Sequence, residues 1–147
     1  MFSAANTTIP QGLIEAYLGS DFLVHASPNA PTFTLRVGET CPELSALYRA
    51  TGCTTAAFIT AWNPYSVTQP DGVNQSAQSR LVHEVETEGL KWLAGTGFDP
   101  KHPASGEDSI LVVGLTQQQA IDWGSRFQQN AVVWVGANAR PELLLLK

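Results

Sequence analysis

Hydrophobic positions along the chain switch between a helical and a two-residue period, and the switches fall at Gly, Pro and Asn punctuation. Leu13, Ile14, Tyr17 and Leu18 recur at helical spacing and stop before Gly19. Leu44, Leu47 and Tyr48 do the same before Gly52, a residue suited to the left-handed turn beyond a helix end. Between these helices, segments 21–26 and 32–37 are joined by Ser27-Pro28-Asn29-Ala30-Pro31, and Phe33, Leu35 and Val37 alternate with Thr34 and Arg36. The pattern predicts a hairpin.

From Thr55 onward the signal strengthens. Residues 56–62 form a nearly continuous apolar run bounded by Asn63-Pro64, as expected for a strand covered on both faces. A helix follows with Val73, Ala77, Leu81 and Val85 in a four-residue stripe, Asn74 on or beside that stripe, and Gly89 as its stop. Segment 90–94 predicts a short strand and segment 95–106 a long loop rich in Gly and Pro. A second apolar run at 109–115, a helix with Ala120, Trp123 and Phe127, a strand at 131–135 and a last strand at 143–146 complete the series.

Four helix starts share one device, a Thr followed three residues later by an acidic or amide side chain. They are Thr8 with Gln11, Thr40 with Glu43, Thr68 with Asp71 and Thr116 with Gln119, each predicting a capping box. In the first three, Pro10, Pro42 and Pro70 fall in the first turn, where a missing N–H leaves no intrahelical bond unmade.

The order of elements over residues 55–135, β-α-β-β-α-β, predicts an α+β protein with a ferredoxin-like split βαβ core. Residues 1–54 form an N-terminal helix-hairpin-helix (α-β-β-α) extension packed on the 55–147 core, and the C-terminal strand and the hairpin cover sheet edges. The whole chain reads as a single domain, 1–147, with no repeat or linker. In this topology the end of the first core strand lies beside the beginnings of the third and fourth. Asn63, Ser66, Asn74, Glu107, Asp108, Gln129 and Asn130 therefore collect at one edge of the sheet, with the 95–106 loop above them.

Charged residues make up only 14% of the 147, against about 25% in an average soluble protein, so the surface is rich in neutral polar groups. The net charge of -5 and the lack of a Lys/Arg cluster oppose the footprint of a nucleic-acid-binding protein. No segment reaches the length of a membrane span, no secretory signal opens the chain, and the two cysteines lack a metal-ligand or disulfide pattern. The expectation is a cytoplasmic protein with no membrane, nucleic-acid, cofactor or metal association.

The amides of Asn63, Asn74, Gln129 and Asn130 offer both donors and acceptors, as a neutral polar ligand requires. Taken one at a time they also fit turn, cap and buried-tie roles. Glu107 and Asp108 are the only carboxylate pair at this edge and are the candidates for acid/base chemistry, with Lys101 and His102 on the loop as partners. Gly95-Thr96-Gly97 lacks the third glycine and helix start of a phosphate loop, and Ser66 lacks a nucleophile-elbow setting.

Thr60-Ala61-Trp62-Asn63-Pro64-Tyr65-Ser66, Asn74, Glu107-Asp108-Ser109 and Phe127-Gln128-Gln129-Asn130-Ala131-Val132-Val133-Trp134 together resemble the Domain of Unknown Function 3293 family of small bacterial proteins. The resemblance spans roughly residues 55–135, and its matching positions are Thr60, Asn63, Pro64, Ser66, Asn74, Glu107, Gln129, Asn130 and Ala131. The chain departs from the family pattern at Gly106, where an aromatic often stands, and at Tyr65, where a basic residue often follows Asn-Pro. The resemblance implies no particular activity. The residues favour a non-catalytic binding or regulatory module for a small polar molecule or a protein, with Asn63, Ser66, Asn74, Glu107, Gln129 and Asn130 as its ligand-binding residues. The alternative is a small hydrolase or transferase using Glu107 or Asp108.

Overall fold

The computed structural model describes residues 2–3, 5–25 and 32–147, so the joint expected at 27–31 lies outside the described residues. In chain order the elements are α1 (Gln11–Leu18), β1 (Asp21–His25), β2 (Phe33–Leu35), α2 (Pro42–Thr51), β3 (Ala56–Ile59), α3 (Asp71–Thr87), β4 (Lys91–Asp99), β5 (His102–Val113), α4 (Gln117–Arg126), β6 (Ala131–Val135) and β7 (Pro141–Leu145). The protein is mixed α+β. Its seven described strands join in one antiparallel sheet of order β2-β1-β4-β5-β3-β6-β7.

The two apolar runs occupy the middle of this sheet as β5 and β3, paired from Ala56↔Val113 to Ile59↔Ile110. Their alternation sends side chains into two cores. On one face, Ala57, Ile59, Ile110 and Val112 meet Ala77, Leu81 and Val85 of α3 and Trp123 of α4. On the other, Phe58, Leu111 and Val133 meet Leu44 and Tyr48 of α2 and the inward side chains of β1 and β2. Leu81 and Leu111 have no exposed surface, so truncating either to alanine costs roughly 2–5 kcal/mol. A smaller third cluster seats Ile9 and Ile14 against Leu145, which places α1 over the β6–β7 end of the sheet.

Only one of the four predicted capping boxes forms. Thr116 accepts from the Gln119 N–H at 3.1 Å, and Gln119 Oε1 accepts from the Thr116 N–H at 2.8 Å. At the other three starts the helix begins one or two residues later than expected, with Pro10, Cys41 and Pro70 at the N-cap and no side-chain cap. The reason lies in the prolines, because a residue preceding proline is held away from the helical region. Cys41, before Pro42, is extended at φ -108 and ψ 104, so Thr40 sits one residue too far out to cap.

The long loop expected at 95–106 is instead the outer half of a hairpin. β4 continues to Asp99, and β5 starts at His102. The β4 part of this glycine-rich stretch becomes strand because it has neighbours on both sides, β5 on one and β1 on the other, the latter paired from Asp21↔Phe98 to His25↔Ala94. Its glycines have a packing role. A Cβ at Gly95 would stand 2.6 Å from the Phe58 ring and 2.8 Å from the Leu23 carbonyl oxygen. Phe58 and Phe22, which meet edge to face with centroids 5.2 Å apart, lie across Gly95 and Gly97, and at Gly95 any larger residue would push Phe58 off.

Candidate functional site

β3 ends at Ile59, and the chain that leaves it is held by side chains from four other segments. Thr60 Oγ1 donates to the Asp108 carbonyl at 2.6 Å and accepts from the Trp62 N–H at 3.0 Å, while Gln78 Oε1 accepts from the Ala61 N–H at 2.9 Å. The next three peptide units form a tight turn, Pro64–Ser66, in which Asn63, Tyr65 and Ser66 all have positive φ (45°, 51° and 63°). Left-handed conformations are costly for residues with a Cβ and persist where surrounding bonds over-determine them.

The bonds that do so come from the predicted amides. The Asn63 N–H donates to Asn74 Oδ1 at 2.8 Å, and Asn74 Nδ2 returns the bond to Asn63 Oδ1 at 2.8 Å. Asn63 Oδ1 also accepts from the Gln69 N–H at 3.0 Å, and Asn63 Nδ2 donates to Glu107 Oε2 at 3.0 Å. From the other segment, the Gln128 carbonyl accepts from the Tyr65 N–H at 2.7 Å, Gln129 Nε2 donates to the Trp62 carbonyl at 3.3 Å, and Asn130 Nδ2 donates to Ser66 Oγ at 3.2 Å. Asn63-Pro64 and Gln129-Asn130 thus meet across β3 and β6.

Beneath this junction, between α1 and the sheet, lies a cavity of about 250 Å³. Asn63, Ser66, Glu107 and Gln129 stand in its wall, and Asn74 and Asn130 do not. Asn74, only 1% exposed, works behind the wall by holding Asn63. Asn130 ties the wall together, its Nδ2 reaching Tyr17 Oη at 3.2 Å as well as Ser66, while Tyr17 and Ser66 bond each other at 3.0 Å. The six predicted residues are therefore one connected cluster with two roles, four lining and two bracing.

The carboxylate pair is divided. Neighbouring residues on a strand point to opposite faces, so Glu107 enters the cavity while Asp108 lines a shallow groove on the other face with Gln78, His83 and Trp92. Lys101 and His102 are exposed at the hairpin tip and stand outside the cavity wall. Burial raises the Glu107 carboxyl above the usual range, and the hydrogen bond from Asn63 opposes part of that shift.

Other wall residues came from places the motif reading did not reach. Tyr17 and Leu13 descend from α1, Phe22 and Phe58 form the floor, and Asp99 stands near the hairpin tip. Tyr17 carried a signal, a polar-tipped ring in an apolar helical stripe; Asp99 carried none, since its place depends on the unforeseen extension of β4. Among the described residues, no group of three or more His, Cys, Asp and Glu is placed to hold a metal ion, and no helix is long and apolar enough to cross a membrane.

A small α+β protein with one amide-framed cavity is the class these features define. The family model described as a protein of unknown function, DUF3293, matches residues 59–132, just over half of the chain, and the chain belongs to that family. No curated protein and no solved structure matches it. The matched span contains Asn63, Ser66, Asn74, Glu107, Gln129 and Asn130, whereas Tyr17 and Phe22 lie outside it.

Proposed function

We propose that this protein is a non-catalytic binding module whose cavity under α1 takes a small molecule. The observation that carries the reading is the division of labour in the wall: Asn63, Ser66, Glu107 and Gln129 border an open apolar space, and buried amides brace them from behind. A closed network satisfying only itself would need no such space. The strand order β4-β5-β3-β6 supports reading the core as a ferredoxin-like split βαβ unit, on which the site stands at the end of the two central strands. The two cysteines, both free thiols, fit a cytoplasmic setting.

The test is a fragment screen by ligand-observed NMR against the protein and against Ala16→Phe, which adds bulk to the α1 side of the cavity wall and leaves every amide of the cluster in the sequence. Saturable binders that Ala16→Phe abolishes are expected. A screen returning none, or binders indifferent to Ala16→Phe, overturns the reading.

A second reading, a small hydrolase or transferase, has one observation in its favour: a half-buried Glu107 with a raised pKa is a better proton acceptor than an ordinary glutamate. Asp108 has no part in it, being on the other face. This version requires Glu107→Gln to abolish a turnover found for the wild type while the fold persists.

A further inference from the structure

We propose that the cavity's ligand is a small organic cation, an ammonium group on a compact aromatic or apolar body, with the ammonium seated on the Glu107 carboxylate. The inference rests on the cavity being a binding site and adds the chemistry of its occupant.

Charge is the first argument. Asp99 and Glu107 are the only charged side chains among the described residues of the wall, which holds no Lys, Arg or His. Neither carboxylate has an ion-pair partner among the described residues, whose two salt bridges are Arg36–Asp21 and Arg126–Glu84. A partly buried carboxylate facing an apolar space without a counter-ion is costly, and a bound cation removes that cost.

The remaining hydrogen-bond valences point the same way. Asn63 Nδ2 is used on Glu107, and Gln129 Nε2 on the carbonyls of Trp62 and Phe127. Asn63 Nδ2 keeps one N–H free, and Glu107 Oε1 and Gln129 Oε1 are left as open acceptors. An ammonium brings three donors and no acceptor, so it satisfies both open acceptors, one of them charged.

Size and shape set the rest of the molecule. An apolar cavity of about 150 Å³ holds benzene, so about 250 Å³ admits one ring with a short arm. The floor is formed by Phe22 and Phe58, with Leu13 and Val133 beside them. Aromatic rings in the wall offer a cation an attraction that they do not offer an anion.

Three probes of matched size decide the matter: phenethylamine, phenethyl alcohol and phenylacetate, titrated calorimetrically near neutral pH against the full chain and Glu107→Gln. The amine should bind roughly tenfold or more tightly than the alcohol. Glu107→Gln should erase that preference, with amine and alcohol binding the variant about equally, and an unchanged circular-dichroism spectrum reports an intact fold. An alcohol that binds as tightly as the amine overturns the ammonium assignment and leaves the binding reading standing. Preference for phenylacetate, or an amine preference that survives Glu107→Gln, overturns it as well, and so does failure of all three probes; the fragment screen judges the wider reading separately. If Glu107→Gln loses its fold, pH decides with the wild type. Amine affinity must then rise as Glu107 ionises while the alcohol's does not, with Asp99 and the Tyr17 hydroxyl as the other titratable groups in the wall.

Discussion

Asn63 and Asn74 hold each other by a reciprocal pair of hydrogen bonds, each 2.8 Å long, one using the backbone N–H of Asn63 and the other its side-chain oxygen. The pair fastens the turn after β3 to the first turns of α3. Through Asn63 Nδ2 it also aims a donor at Glu107. Asn74 is thus a residue of the site that never meets the cavity.

Asn74→Ala leaves the Asn63 N–H without its partner next to a conformation that already carries strain. The expected loss is about 2–4 kcal/mol, read as a lower urea midpoint at unchanged m-value. A loss under about 0.5 kcal/mol would show that the turn is held without Asn74.

Glu107 makes stability depend on pH with a definite sign. Its folded pKa is raised, so between the unfolded and folded values the native state binds more protons, and stability falls as pH rises through that window. Glu107→Gln keeps an acceptor for Asn63 Nδ2 and removes the buried charge. Thermal melts should therefore show the variant more stable than wild type at about pH 8, with the gap closing toward about pH 4. A gap that widens on acidification contradicts the burial of Glu107.

Gly95→Ala places a methyl group against the Phe58 ring and the Leu23 carbonyl. The carbonyl belongs to a paired strand and cannot step aside. Overpacking of this kind costs typically 1–3 kcal/mol. Gly106→Ala, at an exposed position whose nearest neighbour is the Thr96 methyl group at 3.2 Å, should cost less, and comparison of the two urea midpoints checks the assignment.

Three of the four threonines make a graded set. Thr116→Ala removes a formed cap and should cost about 0.5–2 kcal/mol. Thr40→Ala and Thr68→Ala remove side chains that cap nothing and should stay within roughly 0.5 kcal/mol of wild type. Equal losses at all three positions would contradict the observed helix starts.

Tyr17 and Asn130 join α1 to the turn at Ser66, so Asn130→Ala should loosen the cavity roof. The expected cost is about 1–3 kcal/mol, with faster amide exchange in α1 than in α3. Uniform change across both helices would mean that Asn130 is a general core residue instead.

Much of this was legible one residue at a time. The periodicity of the apolar stripes placed all four helices, and the two buried runs identified the central strands. The meeting of Asn63 with Gln129 and Asn130 followed from strand direction alone. Local composition misled where distant partners intervened: 95–106 has the Gly and Pro content of a loop, yet residues 95–98 pair with β1 and lie in the strand paired with β5. It misled again at Thr8, Thr40 and Thr68, where the proline two residues on, by restricting the residue before it, outweighs the capping signature.

The order of elements, the amides at strand ends and the scarcity of charge are properties of the sequence, because period and punctuation act over a few residues. The cavity is a property of the tertiary structure. Whether Glu107 or Asp108 faces it depends on the register of β5, since a one-residue slip would exchange them. Its floor depends on two phenylalanines from β1 and β3 crossing glycines of β4, and its roof on α1 reaching Ser66 through Tyr17. Those contacts join residues far apart in the chain, and only the assembled sheet brings them within bonding distance.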